Sequence, residues 1–225
     1  HLKWMTHCLD LAKKGKGTVA PNPLVGCVIV VNDQIIGEGY HEQYVKAHAE
    51  VNAIAQIHDS SLIPHATVYV NLEPCAHQGK TPPCANLLVE KGFKKVVIGA
   101  VDNNEQVSGK GIQILKAAGI EVIAGMLELE CRLLNQHFYT FHQSKRPYYL
   151  LKWAETSDGF IYSANHSQQI SNELSAKMVH HLRAKTQSIL IGKNTLVTDN
   201  PRLNVRLVDG TSPIKIIITN ELSQD

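Results

Sequence analysis

The sequence has few aromatic residues, almost no excess charge and no long apolar run. Phe, Trp and Tyr make up 6% of the 225 residues, and the 22 Lys and Arg nearly balance the 20 Asp and Glu. A nucleic-acid binder needs a strong basic surface, and binding of single strands adds stacking aromatics. The longest apolar run, residues 25–31, is far shorter than the roughly 20 residues needed to span a bilayer. We therefore expect small-molecule partners, no nucleic acid and no membrane.

Five cysteines are few for a disulfide framework in a chain of this length, and an odd number cannot pair completely. Thiolates that bind a metal fit a reducing compartment better. The first 17 residues have the pattern of an amphipathic helix and lack the apolar core of a signal peptide. These features predict a cytoplasmic protein.

Hydrophobic periodicity predicts alternating helices and strands in two segments joined by a linker at 143–147. In the first segment the predicted helices are 2–14, 48–57, 81–91, 110–118 and 127–142, and the predicted strands are 25–31, 34–40, 66–72, 94–100 and 120–124. In the second segment the pattern predicts a helix at 172–185 and strands at 148–154, 188–192 and 214–219. We expect an α/β protein with a domain at 1–147 and a second, incomplete domain at 148–225, because the second pattern stops just after a strand.

The most informative residues are His48, Glu50, Cys75 and Cys84. One His and two Cys can bind Zn²⁺ and leave the fourth position for water, which is typical of catalytic rather than structural zinc. Glu50, two residues after the His, is placed to move protons. This is the arrangement of zinc deaminases, in which a metal-activated water attacks a nucleobase carbon and ammonia leaves.

Two other interpretations stay open. Zinc could brace the fold with His77 as a fourth ligand, or the site could act on nucleic acid or free nucleosides. Against the second, eight residues separate Cys75 from Cys84, a longer loop than in the general deaminase signature. That loop carries His77 and Lys80, which suit contacts with a carbonyl and a phosphate. The remaining cysteines are expected in the core; they are Cys8, Cys27 and Cys131.

Four motifs resemble the bifunctional riboflavin-biosynthesis deaminase/reductase family. They are Pro-Asn-Pro-Leu-Val-Gly at 21–26, Gly-Tyr-His at 39–41, His-Ala-Glu-Val-Asn-Ala at 48–53, and Leu-Glu-Pro-Cys-Ala-His-Gln-Gly-Lys-Thr-Pro-Pro-Cys at 72–84. The resemblance implies a cytidine-deaminase-like αβα domain that deaminates 2,5-diamino-6-(ribosylamino)-4(3H)-pyrimidinone 5′-phosphate. It also implies a homo-oligomer. The residues that match substrate-binding positions are Asn22, His41, His77 and Lys80.

The second segment resembles the start of this family's reductase domain, which has a dihydrofolate-reductase-like fold and uses NADPH to open the ribose. The match rests on Leu-Lys-Trp-Ala at 151–154, Ser-Asp-Gly at 157–159 and Leu-Asn-Val-Arg at 203–206. By resemblance, Lys152 lies near the reacting ribose. The implied NADPH contacts are Ala154, Gln169, Thr195 and Asp199. The implied substrate contacts are Ser167, Arg183, Leu203 and Arg206. Gln169 replaces the usual Trp, and Asn200 replaces the usual Asp.

Overall fold

A computed structural model describes residues 1–76, 82–102, 108–161 and 170–220. The chain forms two compact units, His1–Tyr148 and Tyr149–Asp225. Within the described ranges, each helix is too short or too polar to cross a lipid bilayer.

The first unit contains a mixed sheet between helices. Its strands are β1 (Gly26–Val31), β2 (Gln34–Tyr40), β3 (Thr67–Leu72), β4 (Lys95–Ala100) and β5 (Glu121–Ala124). Its helices are α1 (Leu2–Lys14), α2 (Ala49–Ile54), α3 (Cys84–Lys91), α4 (Lys110–Ala117), α5 (Glu128–Leu134) and α6 (Gln136–Ser144), with a 3₁₀ helix at Ser60–His65.

The strand order is β2-β1-β3-β4-β5. β1 is antiparallel to both of its neighbours, whereas β3, β4 and β5 are parallel. The β1–β2 turn consists of Asn32 and Asp33, both of which have positive φ (47° and 59°). A two-residue hairpin turn of this type needs positive φ at both positions, because its backbone twist then matches that of the strands. Because β3 and β4 are parallel, the residues that follow them meet at one edge of the sheet.

The central strands are buried on both faces, and their side chains alternate between two apolar clusters. On β3, Val68 and Val70 pack into the cluster that includes residues of α2, α3 and α4. Tyr69 points to the opposite face and packs with residues of α1 and α5, such as Met5 and Cys131. The first unit is therefore a three-layer αβα sandwich.

Three predicted helices of the first unit have clearly different bounds in the structure, and one of them, expected at 48–57, covers only Ala49–Ile54. The expected helix 127–142 is two helices, α5 and α6, separated at Asn135, whose buried side chain bonds to the backbone of Leu24. The helix expected from residue 81 begins at Cys84. Pro82 precedes a proline, which disfavours the helical conformation at Pro82, and Pro83 is the N-cap of α3 with extended backbone angles (φ −58°, ψ 136°). Cys84 is consequently the first helical residue.

The second unit contains α7 (Glu173–Ala184), β6 (Ser188–Gly192), α8 (Lys193–Asp199) and β7 (Ile214–Ile218), with β6 and β7 parallel. The predicted strand 148–154 is wrong, because this segment is irregular. Its apolar side chains, including Leu151 and Trp153, are exposed. An apolar run alone does not form a strand unless a neighbouring backbone pairs with it.

Candidate metal centre and active site

Three residues from three different elements form the candidate metal centre. His48 immediately precedes α2, Cys75 follows β3, and Cys84 begins α3. The Nδ1 atom of His48 lies 3.3 Å from Sγ of Cys84 and 3.6 Å from Sγ of Cys75. All three donor atoms lie within 4.8 Å of one another. The backbone N–H of Cys84 also donates to Sγ of Cys75 (3.2 Å), which ties the start of α3 to the end of β3.

This donor set fits zinc in chemistry and in spacing. Zinc binds thiolate at about 2.3 Å and imidazole at about 2.0–2.1 Å, so the two ligand atoms of a tetrahedral site lie roughly 3.6 Å apart. The hydrogen bond between the two thiols lowers the pKa of Cys75 and raises the pKa of Cys84. One thiolate is therefore already favoured at neutral pH, and a divalent cation would favour the second.

Glu50 is buried in the first turn of α2, two residues after His48, and only 3% of its surface is exposed. Burial raises the pKa of Glu50 to about 6, and the nearby charge of Cys75 contributes to the same shift. A carboxyl group that titrates near neutrality can both accept and release a proton during turnover. A zinc ion that only braced the fold would not need such a group.

Asn22 and His41 lie beside this centre. The rings of His41 and His48 have their centroids 5.6 Å apart. Nδ1 of His41 donates to the carbonyl of Ala47 (3.0 Å), so Nε2 accepts a hydrogen bond from Nδ2 of Asn22 (3.1 Å). Burial lowers the pKa of His41, which keeps the ring neutral and the tautomer single. With its NH₂ group donating to His41, the amide of Asn22 offers its oxygen as an acceptor.

Two buried asparagines, which sequence analysis missed, hold the backbone that follows Asn22. Asn135 accepts from the N–H of Leu24 (2.7 Å) and donates to its carbonyl (2.9 Å). Asn71 donates to the same carbonyl (3.0 Å) and accepts from the N–H of Gly26 (2.7 Å). For Asn71 the available signal was a polar amide inside an otherwise apolar strand, since such a residue must find partners when it is buried. Asn135 lies between two helices of mixed composition, where the sequence offered no such signal.

Glu73 was also missed as a functional candidate. Glu73 is 4% exposed, and its carboxylate accepts four backbone hydrogen bonds from residues that the structure describes. One carboxylate oxygen accepts from Asp102 (3.1 Å) and Gly109 (3.0 Å), and the other accepts from Gly111 (2.9 Å) and Ile112 (3.2 Å). The sequence signal was an acidic residue at the end of a buried strand, directly before Pro74.

Four predicted ligand contacts lie outside the described residues: His77, Lys80, Ser167 and Gln169.

In the second unit, the structure brings Arg183 and Arg206 together around Asn204. Arg183 donates to the carbonyl of Asn204, and Arg206 donates to its side-chain oxygen, both at 3.1 Å. Burial, with the neighbouring Arg206 charge, lowers the pKa of Arg183. Leu203 is buried with φ of +53°. Two guanidinium groups held this close make a locally basic site suited to a phosphate.

The other predicted reductase residues lie on two segments of the same unit. Thr195 and Asp199 are four residues apart on α8 and therefore on one face of the helix. Lys152 is exposed and Ala154 is partly buried in the irregular segment that replaces the predicted strand.

Comparison with known proteins identifies two families along the chain. Residues 1–100 match the cytidine and deoxycytidylate deaminase zinc-binding region, and residues 147–225 match the RibD C-terminal domain. The riboflavin biosynthesis protein RibD of Actinobacillus pleuropneumoniae is 45% identical over 222 residues, which are 98% of this chain and 58% of that protein.

Solved structures give the same result. A deaminase/reductase from Thermotoga maritima, described as a diaminohydroxyphosphoribosylaminopyrimidine deaminase and 5-amino-6-(5-phosphoribosylamino)uracil reductase, is 43% identical with a TM-score of 0.89. The match covers 96% of this chain and 62% of that one. Acinetobacter baumannii RibD is 41% identical with a TM-score of 0.89, covering 99% and 64%. The chain thus spans about three-fifths of the length of these relatives. These matches confirm the predicted fold class. The match to a zinc-binding deaminase region, together with the cluster of His48, Cys75 and Cys84, confirms the prediction of zinc as the metal.

Proposed function

The chain belongs to the bifunctional riboflavin-biosynthesis deaminase/reductase family, and from that membership we propose that its first unit is a zinc-dependent aminohydrolase. Its substrate is 2,5-diamino-6-(ribosylamino)-4(3H)-pyrimidinone 5′-phosphate, whose 2-amino group is replaced by a carbonyl to give 5-amino-6-(5-phosphoribosylamino)uracil and ammonia. The observation that carries this proposal is the set of three donor atoms from His48, Cys75 and Cys84 beside the buried Glu50.

The residues of the first unit divide the chemistry among them. His48, Cys75 and Cys84 would hold zinc, which supplies the Lewis acidity that brings the pKa of a water toward about 7. The Glu50 carboxylate takes up the proton that the attacking water loses. Glu50 then delivers that proton to the ring nitrogen next to the attacked carbon. It next takes the proton of the hydroxyl group formed on that carbon and passes it to the amine, so that the carbonyl forms as the C–N bond breaks and ammonia leaves. Its pKa of about 6 suits both directions of transfer.

Asn22 and His41 orient the pyrimidine. Because His41 accepts the amide N–H of Asn22, the amide is held with its carbonyl oxygen available to a donor on the base. His77 and Lys80 are proposed to contact the base carbonyl and the ribose phosphate. Their place between the two cysteines of the metal centre supports this proposal, because the chain must return to the metal within eight residues.

We further propose that the second unit contributes to an NADPH-dependent reductase that converts the ribosyl group to ribityl. Arg183 and Arg206 would bind the substrate phosphate, with Leu203 and Ser167 as further substrate contacts. Lys152 would act near the reacting ribose. The NADPH contacts would be Ala154, Gln169, Thr195 and Asp199. The basic pair around Asn204 is the observation that supports this assignment.

Two finer proposals concern the state of the protein in the cell. We propose a homo-oligomer, because the family resemblance implies one. We also propose a cytoplasmic location, because all five cysteines are free and two of them supply the metal centre, which requires reduced thiols.

Ammonia release tests the deaminase proposal. Zinc-loaded protein is given the diaminopyrimidinone ribotide, with cytidine in a parallel reaction and chelator-treated protein as the control. The expected result is turnover of the ribotide alone, lost on chelation and restored by zinc. Turnover of cytidine, or ribotide turnover that survives complete removal of zinc, would contradict the proposal.

A further inference from the structure

Glu73 caps a helix from a distance. The first N–H groups of a helix have no partner within the helix, and a side chain at the N-cap position usually accepts from them. The N-cap residue of α4 is Gly109, which has no side chain to do so. Glu73, at the end of β3, supplies the missing acceptor by bonding to Gly109, Gly111 and Ile112. A carboxylate at this position also interacts favourably with the helix dipole.

Only a carboxylate meets the demands of this site. Within the described ranges, each of its two oxygens accepts two N–H bonds, and these four donors are backbone amides with fixed directions. The four bonds also offset the cost of burying the charge. A glutamine would turn its NH₂ group toward two N–H donors and would leave them without an acceptor.

The same contact fixes the segment that carries a metal ligand. Glu73 is followed by Pro74 and Cys75, and α4 packs so closely on this segment that a Cβ at Gly111 would collide with the carbonyl oxygen of Pro74. The backbone N–H of Glu73 donates to Ala100 (2.9 Å), so the segment is also tied to β4. At Cys75 it is bonded to the start of α3: Sγ of Cys75 accepts from the N–H of Cys84 (3.2 Å), and its carbonyl accepts from the N–H of Ala85 (3.1 Å). The backbone of Cys75 is therefore set by contacts on both sides, with Glu73 at the centre of one of them.

We propose that Glu73 is a positioning residue for the metal centre: by capping α4 it holds the backbone that places Cys75 opposite His48 and Cys84. The inference rests on the metal centre of the proposed function, but it does not depend on the substrate. Outer partners that orient metal ligands typically change metal affinity by about 10–100-fold when they are replaced.

Cobalt binding tests this role directly. Co²⁺ is titrated into metal-free full-length protein, and the visible absorption of a tetrahedral site with Cys and His ligands is followed. Glu73→Gln is expected to bind Co²⁺ about 10–100-fold more weakly than the wild type and with shifted visible bands. Glu73→Asp, which keeps both oxygens on a shorter side chain, should fall between the two proteins.

Two control variants distinguish a positioning role of Glu73 from a general loss of stability and from the loss of one negative charge. Val28→Ala creates a cavity in the core on the sheet face that packs against α1, away from the metal centre. Glu121→Gln removes an exposed carboxylate paired with Lys95. Both controls should bind Co²⁺ like the wild type. The proposal is overturned if Glu73→Gln keeps wild-type affinity and spectrum, or if Val28→Ala weakens binding to the same extent.

If Glu73→Gln cannot be purified folded, Glu73→Asp decides the question by the same titration, and wild-type binding by that variant overturns the proposal. A protein that binds Co²⁺ as expected but releases no ammonia from the ribotide would contradict the proposed function alone.

Discussion

Replacing Glu50 with Gln should move activity and stability in opposite directions. The substitution keeps the shape of a buried side chain in the first turn of α2 but removes its charge and its ability to carry a proton. Loss of a general acid/base typically costs about 10²–10⁴-fold in rate, which is roughly 3–5 kcal/mol of transition-state stabilisation. The Michaelis constant for the ribotide should change little, because Asn22 and His41 remain in place.

The stability change follows from the raised pKa of Glu50. Burial raises the pKa from 4.5 to about 6, so ionising this group costs the metal-free folded state about 2 kcal/mol. The penalty is absent below pH 4.5, grows as the pH rises to 6 and is constant above it, because the unfolded chain ionises first. Glu50→Gln should therefore stabilise metal-free protein by up to about 2 kcal/mol at pH 8 and by almost nothing at pH 4.

Two measurements on the same preparations test this prediction. Ammonia release by zinc-loaded protein gives kcat, and urea unfolding of metal-free protein at pH 8 and pH 4 gives the free energy of unfolding. Glu42→Gln serves as the control, because Glu42 is an exposed carboxylate close to Glu50 in the sequence, and this substitution should change neither quantity. A Glu50→Gln protein with near-normal kcat would refute a proton-transfer role. Equal losses of kcat and stability would mean that Glu50 supports the fold instead.

Three further substitutions test the surroundings of the site. Asn135→Ala removes both bonds to Leu24 and leaves the buried N–H of Leu24 without that acceptor, so urea unfolding should show a loss of about 1–3 kcal/mol. An unchanged unfolding midpoint would show that these two bonds do not stabilise the fold. His137→Gln should have the same thermal unfolding midpoint as the wild type at pH 8 and a higher one as the pH falls below 6.5. Burial lowers the pKa of His137, so the unfolded chain takes up the proton first and the wild type loses stability. Midpoints that change in parallel for the two proteins from pH 8 to pH 5 would refute this. Gly111→Ala should lower the free energy of unfolding by about 1–3 kcal/mol, because the added Cβ would collide with the carbonyl oxygen of Pro74 even though alanine is the better helix former. A more stable variant would show that α4 can move away from Pro74.

The elements that were predicted well have strong local periodicity. The helix at 2–14 and the strand at 34–40 have the same bounds in the structure, because an amphipathic stripe and an Asn-Asp turn are encoded by neighbouring residues. The expected helix 127–142 is divided because Asn135 bonds to a residue 111 positions away. The expected strand 148–154 is irregular, because pairing depends on a partner backbone and not on apolar composition.

The chemistry of the metal centre could be inferred from the sequence alone. The ligand types of His48, Cys75 and Cys84, and the place of Glu50 two residues after the His, restrict the metal and the reaction before any fold is known. The tertiary structure decided how these groups are held and tuned. Burial raises the pKa of Glu50, and His41 orients Asn22. Glu73 and Asn135 act on backbone up to 39 and 111 residues distant, respectively. Residue type and spacing carry ligand chemistry, whereas burial and contacts between distant segments exist only once the chain has folded.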